Sequence, residues 1–194
     1  LDWICSITNT SISDTLKNVE NYFNDPSLVS NSSFFLPYLS GERTPHNDPH
    51  IRGSFHAMKT TTDATNMQYA VIEGVSFGIL DGVNSILKVN DNFEKVFMVG
   101  GGSRSSFWIE LIASLLERNL SVCDQSEYGA ALGVARLAMH VDKNIQDQKN
   151  IIKEIKISKE YQPKIDSIDL LKKRYTIWKD LYTSNKKIAS TLLA

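Results

Sequence analysis

The sequence predicts a helix-rich α/β domain. An apolar strand pattern over residues 94–99 leads into three glycines, and helical, strand and helical patterns then follow up to residue 140. Upstream, apolar residues at helical spacing predict one long helix over residues 63–88. Alternation of strand and helix in this order is typical of an α/β fold. The 194 residues are 42% hydrophobic and 22% charged, which is usual for a globular protein and excludes a disordered chain.

Two short helical patterns open the chain, over residues 1–8 and 14–23, and Ser13 is a candidate N-cap of the second. Residues 34–56 differ, because they contain three prolines: Pro37, Pro45 and Pro49. Proline lacks a backbone donor and restricts the residue before it, so this stretch is predicted to be a rigid polar loop. Loops of this length inside a compact domain are often functional.

The long helix carries glycines at every fourth position: Gly74, Gly78 and Gly82. Each costs about 1 kcal/mol relative to alanine in a helix interior. We therefore predict that another backbone element approaches this ridge closely, and the small-residue helix over residues 127–140 is a candidate partner. On the same helix, Glu73 and Asp81 could line a cleft, cap a helix or form salt bridges.

The end of the chain is predicted to be a polar, lysine-rich segment over residues 142–160, followed by an amphipathic helix over residues 165–183. Residues 1–141 carry a net charge of −6 and residues 142–194 one of +5. Because the lysines alternate with apolar and acidic residues, we interpret them as a solvated helix face and expect no nucleic-acid partner.

Several other classes of protein and site are not expected. No apolar run approaches the roughly 20 residues of a membrane-spanning helix, so no membrane role is predicted. Cys5 and Cys123 cannot form a disulfide framework, which favours a reducing, cytoplasmic location. A metal site on His46, His50 and His56 is not predicted either, because prolines disturb the spacing of these histidines and no cysteine is close in the sequence. Leu1 stands where a helical pattern is already under way, which suggests a piece of a longer chain.

The glycine turn Gly100-Gly101-Gly102-Ser103 is the strongest candidate site. Glycines after a strand let the backbone approach a ligand, and the N–H groups of the following helix suit a phosphate. A tight turn that binds nothing would need the same glycines, so both interpretations stay open. Ser105 breaks the dinucleotide fingerprint, and no Gly-Lys-Ser/Thr of a Walker loop follows.

The second candidate is the segment from Pro37 to His46, which concentrates charged groups and hydroxyls in the predicted rigid loop. Its Glu42 and Arg43 could contact a polar ligand. Alternatively the loop is simply hydrogen-bonded to itself, with these two side chains paired.

Four segments together resemble the FGGY carbohydrate kinase family. Residues 35–49 resemble its proline-rich loop, and residues 53–73 resemble its second signature, with Ala57 where that signature has glycine. Residues 100–105 are similar to its adenosine-binding motif, and residues 127–138 to the helix after that motif. The match covers residues 1 to about 140.

This resemblance implies the ribonuclease-H-like (actin-like ATPase) fold, with two lobes and with ATP and sugar between them. The chain would be the C-terminal lobe without its first strands. Residues 1–141 would form a partial nucleotide-binding domain, and residues 142–194 a helical extension of that domain.

The resemblance also assigns candidate roles to single residues. The expected nucleotide-side residues are Gly101, Gly102, Ser103, Ser106 (beside the adenine) and Ala57. Glu42 and Arg43 are expected on the sugar side of the cleft. No catalytic residue and no metal ligand is expected in this chain, because the family's general-base aspartate lies in the other lobe.

The implied activity is ATP- and Mg²⁺-dependent phosphorylation of a ketopentose, with D-xylulose favoured by the Gly41–Pro45 segment. A kinase for ribulose, gluconate or glycerol is the alternative within the family. Outside it, the chain could be a non-catalytic binding or assembly module that self-associates, for example as a homodimer. The isolated chain is expected to have no appreciable kinase activity.

Overall fold

A computed structural model describes residues 1–89, 95–124, 126–139 and 156–192. Its helices are α1 (Asp2–Thr8), α2 (Ile12–Phe23), α3 (Pro26–Ser30), α4 (Ala64–Leu87), α5 (Ser106–Leu116), α6 (Gly129–Ala138) and α7 (Ile165–Leu192). Its strands are β1 (Phe34–Leu36), β2 (Ser54–His56), β3 (Val96–Met98), β4 (Leu120–Cys123) and β5 (Ile157–Tyr161). Short 3₁₀ helices at Gly101–Arg104 and Ser126–Tyr128 precede α5 and α6. The predicted alternation of strand and helix after residue 94 is confirmed.

The strands form two small sheets. β1 and β2 pair antiparallel and are the two ends of the proline-containing loop. In the second sheet the order is β3-β4-β5, with β3 parallel to β4 and β5 antiparallel to it. Helix α5 connects β3 to β4 and covers one face of this sheet through Ile109, Ile112 and Ala113.

Helix α4 is the central core element. Apolar residues from α2, α3, β1, α5 and α7 join it in one cluster, whose largest fully buried member is Trp178 of α7. Among the residues that the structure describes, α4 has the length and the apolar composition of a membrane-spanning helix. No such helix was predicted from the sequence. Nine of its 24 residues are buried inside the domain, including the charged Glu73, so here it serves as a core helix.

The close approach of β1 accounts for one of the three glycines on the ridge of α4, Gly74. A Cβ on Gly74 would overlap the carbonyl oxygen of Phe35, so the strand crosses the helix at backbone distance. At Gly78 a Cβ would make ordinary contact with the Pro37 ring, and at Gly82 it would meet open space. The expected close approach is thus confirmed at Gly74 only, and the approaching element is β1 rather than the helix over residues 127–140.

Glu73 and Asp81 both lie close to nitrogen-bearing side chains from other elements. Glu73 is paired with Arg174 of α7, and the two side chains are 1% and 4% exposed. Asp81 lies 3.3 Å from His46 of the proline-containing loop. Of the three interpretations left open for these carboxylates, salt bridging is confirmed for Glu73. Asp81 faces an imidazole, which is a salt-bridge partner only when it is protonated.

Other boundaries differ from the predicted ones. Ser11, not Ser13, caps α2, because its hydroxyl accepts a hydrogen bond from the Asp14 N–H. The predicted chain break contains α3, capped by Asp25. Helix α7 continues to Leu192, and β5 occupies the end of the segment predicted to be peripheral. The rest of that prediction, over residues 142–155, lies outside the described residues.

Candidate nucleotide-binding site

The turn after β3 owes its shape to Gly100. This residue has φ +85°, in the left-handed region that glycine adopts without steric cost. Its N–H donates to the carbonyl of Ser126, and its carbonyl accepts from the N–H of Ser103. The chain then coils through the 3₁₀ helix Gly101–Arg104 directly into α5, whose first N–H groups have no partner within the helix.

The three glycines of the turn face different surroundings. A Cβ on Gly100 or Gly101 would meet no atom of the described residues within 4 Å, so in this part of the structure the backbone is open to an incoming group. A Cβ on Gly102 would lie 3.1 Å from the Met98 methyl and 3.6 Å from the Trp108 ring. Gly102 therefore faces the protein, and the open approach runs over Gly100 and Gly101.

Ser103 serves the turn internally. It is 8% exposed, and its hydroxyl donates to the Gly100 carbonyl at 2.7 Å while lying 2.8 Å from the Ser126 hydroxyl. Its side chain thus locks the turn to the 3₁₀ helix before α6. The Ser103 hydroxyl is therefore engaged within the turn, and the approach of Ser103 to phosphates stays a prediction that concerns its backbone. Ser126, which sequence reasoning missed, is the second half of this lock.

Ser106 is the first residue of α5, and it is exposed, so that its side chain is accessible to a ligand. Its hydroxyl lies 3.0 Å from that of Tyr161, the last residue of β5. Tyr161 was missed because its strand was missed.

The other side of the turn is formed by the start of α6. A Cβ on Gly129 would contact the Val99 side chain at 3.5 Å, so this helix begins against the end of β3. Val99 and Tyr128 are 57% and 60% exposed. These two exposed side chains border the open backbone at Gly100 and Gly101.

Ala57 follows β2, in the other sheet, and is exposed. Its φ of +57° is uncommon for a residue other than glycine. The FGGY signature has glycine at this position, and the backbone of this chain keeps the conformation that glycine favours. Ala57 thus adopts a backbone conformation that glycine would adopt with less strain.

Glu42 and Arg43 lie in the loop between β1 and β2. The Glu42 carboxylate accepts a 2.7 Å hydrogen bond from the His46 N–H, while Arg43 is exposed. The loop is thus hydrogen-bonded to itself, but through Glu42 and His46 and not through a pair of Glu42 with Arg43.

His46 anchors this loop to two helices. Its ring stacks on Tyr182 of α7 with a centroid distance of 3.6 Å and an interplanar angle of 9°. Its Nε2 faces the Asp81 carboxylate of α4, which also accepts a 2.6 Å hydrogen bond from the Tyr175 hydroxyl. Nearby, burial raises the pKa of the Tyr38 phenol, and the negative charges of Asp81 and Glu42 add to that effect.

Asp48 anchors the opposite side of the loop. One carboxylate oxygen accepts from the N–H groups of His50 and Ile51, and the other accepts from the Tyr182 hydroxyl at 3.0 Å. Partial desolvation acts to raise the pKa of Asp48, but these hydrogen bonds and the nearby Lys186 ammonium outweigh it and lower the pKa.

No group of three or more metal-ligating side chains occurs among the residues that the structure describes.

Comparison with known proteins identifies the family of this chain. A sequence model of the C-terminal domain of the FGGY carbohydrate kinases matches residues 1–141. The chain is 26% identical over 181 residues to a xylulose kinase of Staphylococcus epidermidis, an alignment that covers 93% of the chain and 36% of that protein.

Solved structures agree on the fold. A xylulose kinase from Brucella ovis superposes with a TM-score of 0.79 at 28% identity, over 96% of this chain and 38% of that one. A gluconate kinase from Lactobacillus acidophilus superposes with a TM-score of 0.69 at 24% identity, over 90% and 34%. The chain thus spans little more than a third of these proteins, and the predicted sugar-kinase lobe is confirmed as its fold class. The chain belongs to the FGGY family of carbohydrate kinases, and residues 1–141 match the C-terminal domain of that family.

Proposed function

We propose that this chain is the nucleotide-binding lobe of an ATP-dependent sugar kinase. The observation that carries the proposal is the open backbone at Gly100 and Gly101, where the chain enters the 3₁₀ helix Gly101–Arg104 that leads into the N-terminus of α5. N–H groups at a helix start attract phosphate oxygens through hydrogen bonds and the helix dipole. Residues 1–141 would form this lobe, and residues 142–194 an extension of it.

In this proposal the residues of the chain bind and orient the nucleotide. The bonds of Ser103 and Ser126 fix the turn before the ligand arrives, so little ordering is needed on binding. A Mg²⁺ ion that binds together with the nucleotide would neutralise phosphate charge. Ser106 would contact the base, and Ala57 would lie on the nucleotide side.

We further propose D-xylulose as the sugar and D-xylulose 5-phosphate as the product. Support comes from the Gly41–Pro45 segment, which resembles xylulose kinases, and from the rigid anchoring of its loop, which would hold Glu42 and Arg43 toward the cleft. Kinases for ribulose, gluconate or glycerol are the alternatives. Because the general base is expected in the other lobe, the isolated chain should not phosphorylate xylulose measurably, and a chain that does would contradict this assignment. The cytoplasm is the proposed location.

Calorimetry of the chain with ATP and Mg²⁺ tests the nucleotide site. Gly101→Val points a side chain into the open approach and should weaken ATP binding at least tenfold. Gly82→Val is the matched control, because a Cβ there also meets open space, but on α4. If wild type does not bind millimolar ATP, or if both variants bind as wild type does, the proposed nucleotide site is wrong.

One observation favours a second candidate, a binding or assembly module. None of the described side chains of α6 is buried, and Val134 and Leu137 are 66% and 70% exposed. Exposed apolar surface of this kind promotes association, including a homodimer. Sedimentation of wild type against Leu137→Glu tests this function: a dimer that dissociates in the variant, together with absent ATP binding, would favour the module over the kinase lobe.

A further inference from the structure

Tyr161 lies beneath the start of α5 in a fixed position. It is 8% exposed and packs with Ile109 and Ala113 of that helix. Its backbone is in register with Leu120 of β4, so the sheet holds it in place. The Lys159 ammonium lies 4.4 Å from the centroid of its ring, which adds a cation–π contact on one ring face.

The hydroxyl of Tyr161 has a hydrogen bond to Ser106, 3.0 Å away. A serine hydroxyl has one donor hydrogen and two acceptor lone pairs, and it rotates to suit its partners. A bond to a buried, immobile phenol fixes that rotation. The remaining hydrogen-bonding capacity of the exposed Ser106 then points away from the protein.

We propose that Tyr161 is a positioning residue of the nucleotide site, which acts by orienting the Ser106 hydroxyl toward the base of the bound nucleotide. The inference rests on the proposed function, because it takes the nucleotide to bind at this turn. Without the phenol, Ser106 must be ordered when the ligand binds, and this ordering weakens binding.

A double-mutant cycle with ATP and Mg²⁺ tests this role by calorimetry. Tyr161→Phe and Ser106→Ala should each weaken ATP binding by about three- to tenfold, the range expected for one hydrogen bond. The double variant should bind no more weakly than Ser106→Ala alone, since Tyr161 acts through Ser106. If Tyr161 were only structural, Tyr161→Phe would weaken binding by the same factor in either background, and that result would overturn the inference.

Tyr22→Phe is the matched control. Tyr22 of α2 is also 8% exposed, and its hydroxyl donates to the Leu28 carbonyl and accepts a hydrogen bond from the Asn66 side chain of α4. Its loss should leave ATP affinity unchanged. Tyr161→Phe keeps the ring and its packing, so it should melt no lower than the control. Absent ATP binding by wild type would refute the proposed function itself, whereas wild-type binding that Tyr161→Phe leaves unchanged would refute only the role of Tyr161.

Discussion

Replacing Arg174 by methionine should strongly destabilise the domain. Two nitrogens of its guanidinium donate to the two carboxylate oxygens of Glu73, at 2.6 and 2.7 Å. The group also donates to the Ser32 hydroxyl and to the carbonyls of Ser32 and Ser33, and it lies 4.2 Å from the centroid of the Phe34 ring. One side chain of α7 thus holds α4 and the entry to β1.

The magnitude follows from burial. Removing one partner of a buried ion pair costs about 3–5 kcal/mol, because the other charge is left uncompensated. Arg174→Met keeps much of the side-chain volume, so the loss is electrostatic rather than a cavity. Adding Glu73→Gln removes the isolated charge and should restore about 1–3 kcal/mol of the lost free energy of unfolding.

The pH dependence gives an independent check. Burial raises the pKa of Glu73, and the Arg174 guanidinium opposes that shift. Without Arg174, burial is opposed only by the hydrogen bond that the Tyr69 hydroxyl donates to Glu73. The pKa of Glu73 in the folded variant therefore rises further, and the folded variant holds a proton that the unfolded chain releases above the ordinary pKa of a glutamate. Where the unfolded state binds fewer protons, stability falls as pH rises. The free energy of unfolding that Arg174→Met loses relative to wild type should therefore be larger at pH 7 than at pH 5.

Urea unfolding followed by tryptophan fluorescence measures these free energies, since Trp178 lies in the main core. Lys172→Met is the control, because it breaks the exposed 2.7 Å pair of Lys172 with Glu117 and should cost at most about 1 kcal/mol. If Arg174→Met costs no more than Lys172→Met at pH 7, with an unchanged urea dependence, the pair does not stabilise the fold as argued.

Three further predictions concern the backbone and the loop. Ala57→Gly should raise the free energy of unfolding by up to about 1 kcal/mol in urea titrations. A left-handed alanine costs about 1–2 kcal/mol, which glycine avoids, and the greater freedom of glycine in the unfolded chain offsets part of this gain. A less stable variant would contradict this prediction. Gly74→Ala should lower the melting temperature because its Cβ overlaps the Phe35 carbonyl, while Gly82→Ala should raise it, and equal effects would rule out the close approach as the cause. The pKa of Asp48 is lower in the folded chain than in the unfolded chain. Its ionised carboxylate therefore stabilises the fold above the unfolded pKa, and this stabilisation is lost as the pH falls through the folded pKa. Proteolysis of residues 37–53 should therefore accelerate in acid, and at a higher pH in Tyr182→Phe; identical profiles would refute the anchoring role of Tyr182.

The sequence predicted the elements whose burial follows a helical or apolar pattern, such as α4, α5 and β3. It did not predict β5, because four of the five residues of Ile157–Tyr161 are exposed and the strand exists through its pairing with β4. The last two turns of α7 were missed for a similar reason. Asn185 has no apolar signal, yet it is 6% exposed and donates to the Arg52 carbonyl at 2.6 Å.

For the site, glycine spacing was enough to predict an open turn, because backbone freedom is a local property. Glycine spacing could not show which of the three glycines faces open space and which faces the protein. Gly102 faces inward only because Met98 and Trp108 lie behind it. The internal role of Ser103 likewise depends on Ser126, 23 residues further along the chain.

The two candidate ligand elements are linked through successive turns of α4. Gly74 admits β1, which leads into the proline-containing loop, and Asp81 holds that loop through His46. Between them, the Ser76 hydroxyl accepts a 2.9 Å hydrogen bond from the Trp108 indole of α5, the helix that starts at the glycine turn. Because one buried helix supports both, the loop and the turn are held in a fixed relation although they lie about 60 residues apart in the sequence. A site that must present a sugar hydroxyl to a phosphate needs such a relation, since phosphoryl transfer depends mainly on positioning.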